Sequence, residues 1–222
     1  MFSKLPSTIA PWRQLLRSKM IAWVIVCAAQ LLFGAQVRAD TSNLSAPNLL
    51  VLGDSLSAAY GIPRERGWVT LLQQKLTNFH VVNAGISGDT TDGGLARLPA
   101  LLQKYKPTIV VIELGGNDAL RGFQIQRIRD NLEQLIKLCQ NAGAKVLLVG
   151  MKIPPNYGLR YTSDFFANYT DTAKKYSVPL VPFFMEGIAT HPELMQDDGI
   201  HPRAEAQQQL LDNVWPYLQK LL

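Results

Sequence analysis

The chain has 222 residues, 47% of them hydrophobic, with no internal repeat or low-complexity tract, so it has apolar material enough for one domain with a proper core. Its net charge of +5 comes from 22 Lys and Arg against 17 Asp and Glu. Five of the basic residues and no acidic one fall within the first 39, which leaves 17 of each sign in residues 40–222. The charge excess therefore belongs to the N-terminal segment, and it gives no ground for expecting a nucleic-acid or anionic-membrane partner.

That segment has a pattern of its own. Lys4, Arg13, Arg17 and Lys19 come before an almost continuously apolar run, Met20 to Ala35, which closes on Val37-Arg38-Ala39 ahead of Asp40. A basic opening, an apolar core and a small residue before a polar one predict a secretory signal peptide over residues 1–39. The run is shorter than the roughly 20 residues that span a bilayer comfortably. A periplasmic or secreted domain over 40–222, without stable membrane insertion after cleavage, is expected; an uncleaved anchor is the alternative. Val26 ahead of Cys27 argues against lipidation there. Cys139 is then the only cysteine in 40–222, so no internal disulfide is expected, and its place on a helical apolar stripe predicts a buried, inert thiol.

In chain order, the apolar run Asn48 to Leu52 reads as a buried strand ending at Gly53-Asp54. Trp68 to Leu76 has helical spacing. Phe79 to Val82 is a second strand, and Leu95 to Tyr105 a helix. Pro107 to Leu114 is a third strand, closed by Gly115-Gly116. Ile125, Ile128, Leu132, Leu135, Ile136 and Cys139 recur at three- and four-residue intervals, the face of a long helix ending near Gly143. Lys145 to Val149 and Val178 to Phe183 are strands four and five, with a helix between them that includes Phe165, Phe166, Tyr169 and Ala173. A last helix opens with Pro202 in its first turn. Continuously apolar strands alternating with amphipathic helices imply an α/β fold with a parallel sheet covered on both faces. Such sheets bind ligands beyond the carboxyl ends of their strands.

Reactive residue types stand at those ends. Ser55 follows strand one in Gly53-Asp54-Ser55-Leu56-Ser57; a serine hydroxyl is a poor nucleophile until a base takes its proton. On its own the segment also reads as ordinary turn chemistry, and no Gly-x-Ser-x-Gly elbow occurs anywhere. Of three histidines, His80 lies inside a strand, and His191 has no carboxylate at useful spacing. His201 lies three residues after Asp198, with Gly199 between them to let the loop fold. A carboxylate on one ring nitrogen fixes the tautomer and leaves the other to accept the serine proton; a capping turn before the last helix is the plainer alternative. Gly88, in Ile86-Ser87-Gly88-Asp89-Thr90, and Asn117, in Gly115-Gly116-Asn117-Asp118, can supply N–H donors to an oxyanion. Asp89 and Asp118 read as loop braces. The Pro-, Tyr- and Phe-rich stretch from Ile153 to Phe166 predicts an apolar wall for an acyl chain, with Leu56, Leu120, Pro155 and Tyr157 as candidate contacts.

Together these segments resemble the SGNH, or GDSL, hydrolases in all four of their blocks: GDSLS with Ser55, NAGISGDT with Gly88, GGND with Asn117, and DGIHP with Asp198 and His201. GLARLPALL, ELGGNDALRGFQ and IPPNYG resemble the bacterial periplasmic thioesterase, lysophospholipase and arylesterase branch. The resemblance implies a three-layer α/β/α sandwich, flavodoxin-like and doubly wound, with five parallel strands. It implies a serine esterase or thioesterase for aryl and alkyl esters, acyl-CoA and lysophospholipids, acting through an acyl-enzyme. The catalytic residues would be Ser55, Asp198 and His201, and the oxyanion donors the Ser55 and Gly88 N–H groups and the Asn117 side chain. No metal or organic cofactor is implied; the expected partner is a small-molecule acyl donor, and a monomer is the default expectation. The alternatives are a carbohydrate O-acetylesterase of the same fold and a non-catalytic periplasmic binding protein.

Overall fold

The computed structural model describes residues 46–222, and the signal expected over residues 1–39 lies outside the described residues. Five strands, β1 (Asn48–Gly53), β2 (His80–Asn83), β3 (Ile109–Glu113), β4 (Lys145–Val149) and β5 (Leu180–Val181), form one sheet in the order β2-β1-β3-β4-β5. Every neighbouring pair is parallel, with Leu50 opposite Val82 on one side and Val110 on the other. Leu49 to Leu52, Val110 to Ile112 and Leu147 to Val149 have no solvent exposure at all. Helices cover both faces of the sheet, which is why these strands read as unbroken apolar runs.

The helices are α1 (Trp68–Lys75), α2 (Thr91–Tyr105), the short α3 (Gly116–Leu120), α4 (Ile125–Asn141), α5 (Leu159–Tyr176) and α6 (Gln207–Leu218). α1 packs on α6 to form one outer layer, and α4 packs on both α2 and α5 to form the other. Leu132, Leu135, Ile136 and Cys139 of α4 are fully buried, and burial pushes the Cys139 thiol up to about 12.

The chain leaves β1 for β2 on one side, then crosses to β3 on the other. The loops after β1 and β3 therefore part from each other, opening the crevice that doubly wound sheets use for ligands.

Three elements differ from the sequence expectation by more than a shift of ends by one or two residues. β5 is two residues long rather than six, because Pro179 and Pro182 bracket it and neither has an N–H for the ladder. α2 begins at Thr91, four residues early, because the Thr90 hydroxyl accepts from the Gly93 N–H at 3.3 Å and caps the helix. Pro202 does not open the last helix. It pairs with Met195 in an antiparallel bridge, held by Gln196 N–H to the His201 carbonyl and Arg203 N–H to the Leu194 carbonyl, both 2.7 Å. These bonds keep residues 201–203 extended, so a 3₁₀ turn begins only at Ala204 and α6 at Gln207.

Candidate active site

The turn after β1 is built around the end of β3. Gly53 pairs with Glu113, and a Cβ at residue 53 would overlap both the Ser57 hydroxyl and the Glu113 carboxyl. The space a side chain would take is filled by those two groups. The turn closes through Ala58 N–H to the Asp54 carbonyl (3.0 Å) and Tyr60 N–H to the Ser55 carbonyl (3.1 Å). Ser55 is left 8% exposed at the crevice floor.

The bridge before α6 brings His201 over that floor. The Ser55 hydroxyl donates to His201 Nε2 at 2.8 Å, and His201 Nδ1–H donates to Asp198 Oδ2 at 2.6 Å. Asp198 Oδ1 accepts the N–H groups of Ile200 (2.9 Å) and His201 (3.0 Å), which holds the carboxylate still behind the ring. Partial burial works against the charge on Asp198, but the hydrogen bonds from the His201 and Ile200 N–H groups and the imidazole outweigh it, and its carboxyl falls to about 2. Asp198 thus braces its own loop and meets the imidazole with the same side chain, but it does not cap the last helix, which begins only at Gln207 after the extended residues 201–203. Tyr60 lies against the other side of the imidazole, ring centroids 4.5 Å apart.

The N–H groups of Ser55 and Gly88 have no acceptor among the described residues. Gly88 has φ +78°, and its loop is sewn to the turn after β1 by Ile86 N–H to the Gly53 carbonyl (3.1 Å) and Asn83 Nδ2 to the Ser57 carbonyl (2.8 Å). From the end of α3, Arg121 donates to the Gly88 carbonyl at 2.9 Å. Asn117 sits in the first turn of α3 and gives one Nδ2 hydrogen to Asp54 Oδ2 at 2.9 Å, leaving the other for a ligand.

A cavity of about 430 Å³ opens beside Ser55 and takes in Leu56, Asn117, Leu120, Pro155 and His201. Its far wall comes from Ile153 after β4 and from Phe183 and Met185 after β5. Tyr157 does not line it; its hydroxyl donates to the Leu120 carbonyl at 3.1 Å, backing the wall instead. The β5 contribution was hidden in sequence, where Phe183 read as the end of a strand.

The other histidines and loop carboxylates singled out in the sequence have structural partners. His80 meets Asn48 (2.9 Å), and His191 meets only Thr190 (3.3 Å). Asp118 accepts from the Thr91 backbone and hydroxyl, while Asp89 holds Arg97 at 2.7 Å. Two groups that the sequence reading passed over are more consequential. Asp54 accepts the Leu56 N–H on Oδ1 (3.0 Å), and Glu113 Oε2 accepts the Asp54 N–H (3.2 Å) and the Ser57 hydroxyl (2.6 Å). Both are buried, and burial pushes Asp54 up to about 6 and Glu113 well above the usual carboxylate range, the Asp54 charge adding to the latter. Among the described residues no three His, Cys, Asp or Glu side chains are grouped to hold a metal ion, and no helix is long and apolar enough to cross a membrane.

A sequence profile of the GDSL-like lipase/acylhydrolase family matches residues 51–209. Esterase TesA of Pseudomonas aeruginosa is 52% identical over 186 residues, which span 82% of this chain and 92% of that protein. The Escherichia coli K12 thioesterase 1/protease 1/lysophospholipase L1 is 49% identical over 179 residues, 80% of this chain and 86% of its own. Among solved structures, the psychrotrophic esterase EstA of Pseudoalteromonas sp., inhibited by monoethylphosphonate, superimposes with a TM-score of 0.75 at 45% identity, covering 78% of this chain and 97% of that one.

Proposed function

The chain belongs to the GDSL-like lipase/acylhydrolase family, and from that premise we propose that it hydrolyses acyl esters and thioesters with Ser55 as nucleophile. The observation that carries this reading is the continuous chain from the Ser55 hydroxyl through His201 to Asp198, at 2.8 and 2.6 Å, opening on an apolar cavity. His201 takes the hydroxyl proton as Ser55 attacks the carbonyl carbon, and Asp198 stabilises the resulting imidazolium. The Ser55 and Gly88 N–H groups and the free Asn117 amide hydrogen receive the charge on the carbonyl oxygen. His201 returns the proton to the departing alcohol or thiol. It then takes one from water, which attacks the acyl-Ser55 ester, and hands that proton to the Ser55 oxygen as the carboxylic acid leaves.

The apolar far wall favours an acyl chain as the group in the cavity and weighs against acetylated carbohydrate. The relatives' printed activities, esterase and thioesterase/lysophospholipase, agree with such donors. Export to the periplasm is part of the same reading. It rests on the basic–apolar–small pattern of residues 1–39, and mass measurement of the secreted protein is expected to begin at Asp40.

The test is turnover of p-nitrophenyl esters and acyl-CoAs of increasing length. Ser55→Ala is expected to lose about 10⁴-fold or more in kcat while melting within a few degrees of the parent. Hydrolysis by the folded Ser55→Ala protein at a parental rate would end the reading.

A further inference from the structure

Beneath the nucleophile turn lie two carboxyl groups that the proposed mechanism leaves without a task. The Glu113 side chain reaches from the end of β3 into the space that Gly53 leaves empty, where one oxygen, Oε2, accepts from both the Asp54 N–H and the Ser57 hydroxyl. Its other oxygen, Oε1, is buried and has no partner. Asp54, next along the turn, uses Oδ1 for the Leu56 N–H and Oδ2 for the Asn117 amide. The neighbours of this pair are a serine hydroxyl, an amide, backbone N–H groups and the Tyr169 phenol of α5, which donates to the Leu114 carbonyl instead. The charged groups around it are His201 above the turn, Asp118 on α3 and Arg97 on α2, whose guanidinium is spent on Asp89 and on the carbonyls of Gly53 and Ala84.

Two carboxylates side by side in such a setting cannot both ionise. The geometry decides which keeps the proton. Asp54 accepts a hydrogen bond on each oxygen, one of them from Asn117. Glu113 has a bare second oxygen and faces no charged donor. Charge therefore rests on Asp54 and the proton on Glu113.

We propose that Glu113 is a positioning residue for ester hydrolysis: as a neutral acid it props the nucleophile turn and confines the pair's one negative charge to Asp54, which holds the Asn117 amide with its nitrogen turned inward. An anionic Asp54 admits only a donor, so the amide cannot flip, and its second hydrogen stays aimed at the cavity. This inference rests on the esterase reading above. A mere packing role would need only the volume of the side chain, and a charged role would need only the carboxylate.

The experiment compares Glu113→Gln, Glu113→Asp and Glu113→Ala in kcat and KM on one p-nitrophenyl ester, alongside carbon-13 NMR of the carboxyl groups across pH 4–8. Removing the prop should lower kcat in Glu113→Ala by about 10²-fold, the scale of a lost oxyanion donor, with KM little changed. Glu113→Gln, neutral and of the same shape, should restore kcat to within roughly fivefold of the parent and exceed Glu113→Asp. The Glu113 carboxyl resonance should stay at its protonated position up to neutral pH. A Glu113 resonance that titrates with the exposed glutamates, or a Glu113→Asp protein faster than Glu113→Gln, overturns the inference. If the parent protein cleaves no ester, the esterase reading has failed, and the Glu113 resonance still decides where the proton lies.

Discussion

Two carboxylate environments flank Ser55, and they are tuned in opposite directions. Asp198 stands on a partly exposed loop, receives three hydrogen bonds from two residues, and is held down at about 2. Asp54 and Glu113 lie sealed under the turn, share few donors, and are pushed up by burial. Identical chemistry gives a permanent anion in one place and a proton-holding pair in the other. The difference is set by donor count and access to water, not by residue type. The exposed carboxylate steadies the base; the buried ones shape the floor on which the nucleophile sits.

The comparison breaks most easily at Asp198. Asp198→Asn keeps the loop's shape but removes the charge that orients His201, and kcat is expected to fall by about 10³–10⁴-fold. Because Asp198 stays ionised down to about pH 2, its protonation does not account for a loss of activity in mildly acid solution, whereas Asp54 takes up a proton on acidification through about 6 and its hold on Asn117 is expected to weaken there, seen as a falling kcat. A parental kcat in Asp198→Asn would remove the exposed carboxylate from the account. A smaller effect probes the floor. A Cβ on Gly85 would press against the backbone of Ser57 and Ala58, so Gly85→Ala should cost about 1–3 kcal/mol in denaturant unfolding and lower kcat by moving the turn. Unchanged stability would mean that the two loops are less tightly joined than they look.

The smallest effect sharpens the comparison through its sign. Groups raised in the folded protein bind protons that the unfolded chain releases, so they favour folding at low pH and lose that stability as pH rises from about 4 through their folded values. Asp54 and Glu113 act in this direction, whereas the Asp198 contribution is present above about pH 4 and lost as pH falls towards 2. Glu113→Gln removes one buried acid, so its melting temperature relative to the parent should climb as pH rises from 4 to 8. A flat difference would mean Glu113 is not perturbed by its burial.

How much of this was legible in the sequence follows from what each residue does. Leu49 to Leu52 and the stripe on α4 announce themselves by periodicity, because burial is a property of a whole face. Ser55, Asp198 and His201 stand out because a turn after a strand, or a carboxylate three residues from a histidine, is a local pattern. The floor was not readable. Glu113 ends an apolar strand and Asp54 looks like a turn residue, and only the parallel register of β1 with β3 sets them together. Phe183 and Met185 were missed as cavity wall for a related reason: Pro182 ends β5 early and releases them towards the crevice, a consequence of one missing N–H. Pro202 was misread because the bridge to Met195 depends on a partner seven residues back rather than on helix-start chemistry.

The most direct test of Ser55 as the reactive group is labelling with an ethyl p-nitrophenyl phosphonate, read by mass spectrometry of the digested protein. A single adduct on the peptide carrying Ser55, appearing together with loss of ester turnover and missing from Ser55→Ala, is the expected result. Continued ester hydrolysis with Ser55 unmodified after complete reaction, or an adduct on another residue that accounts for the lost turnover, would contradict the account.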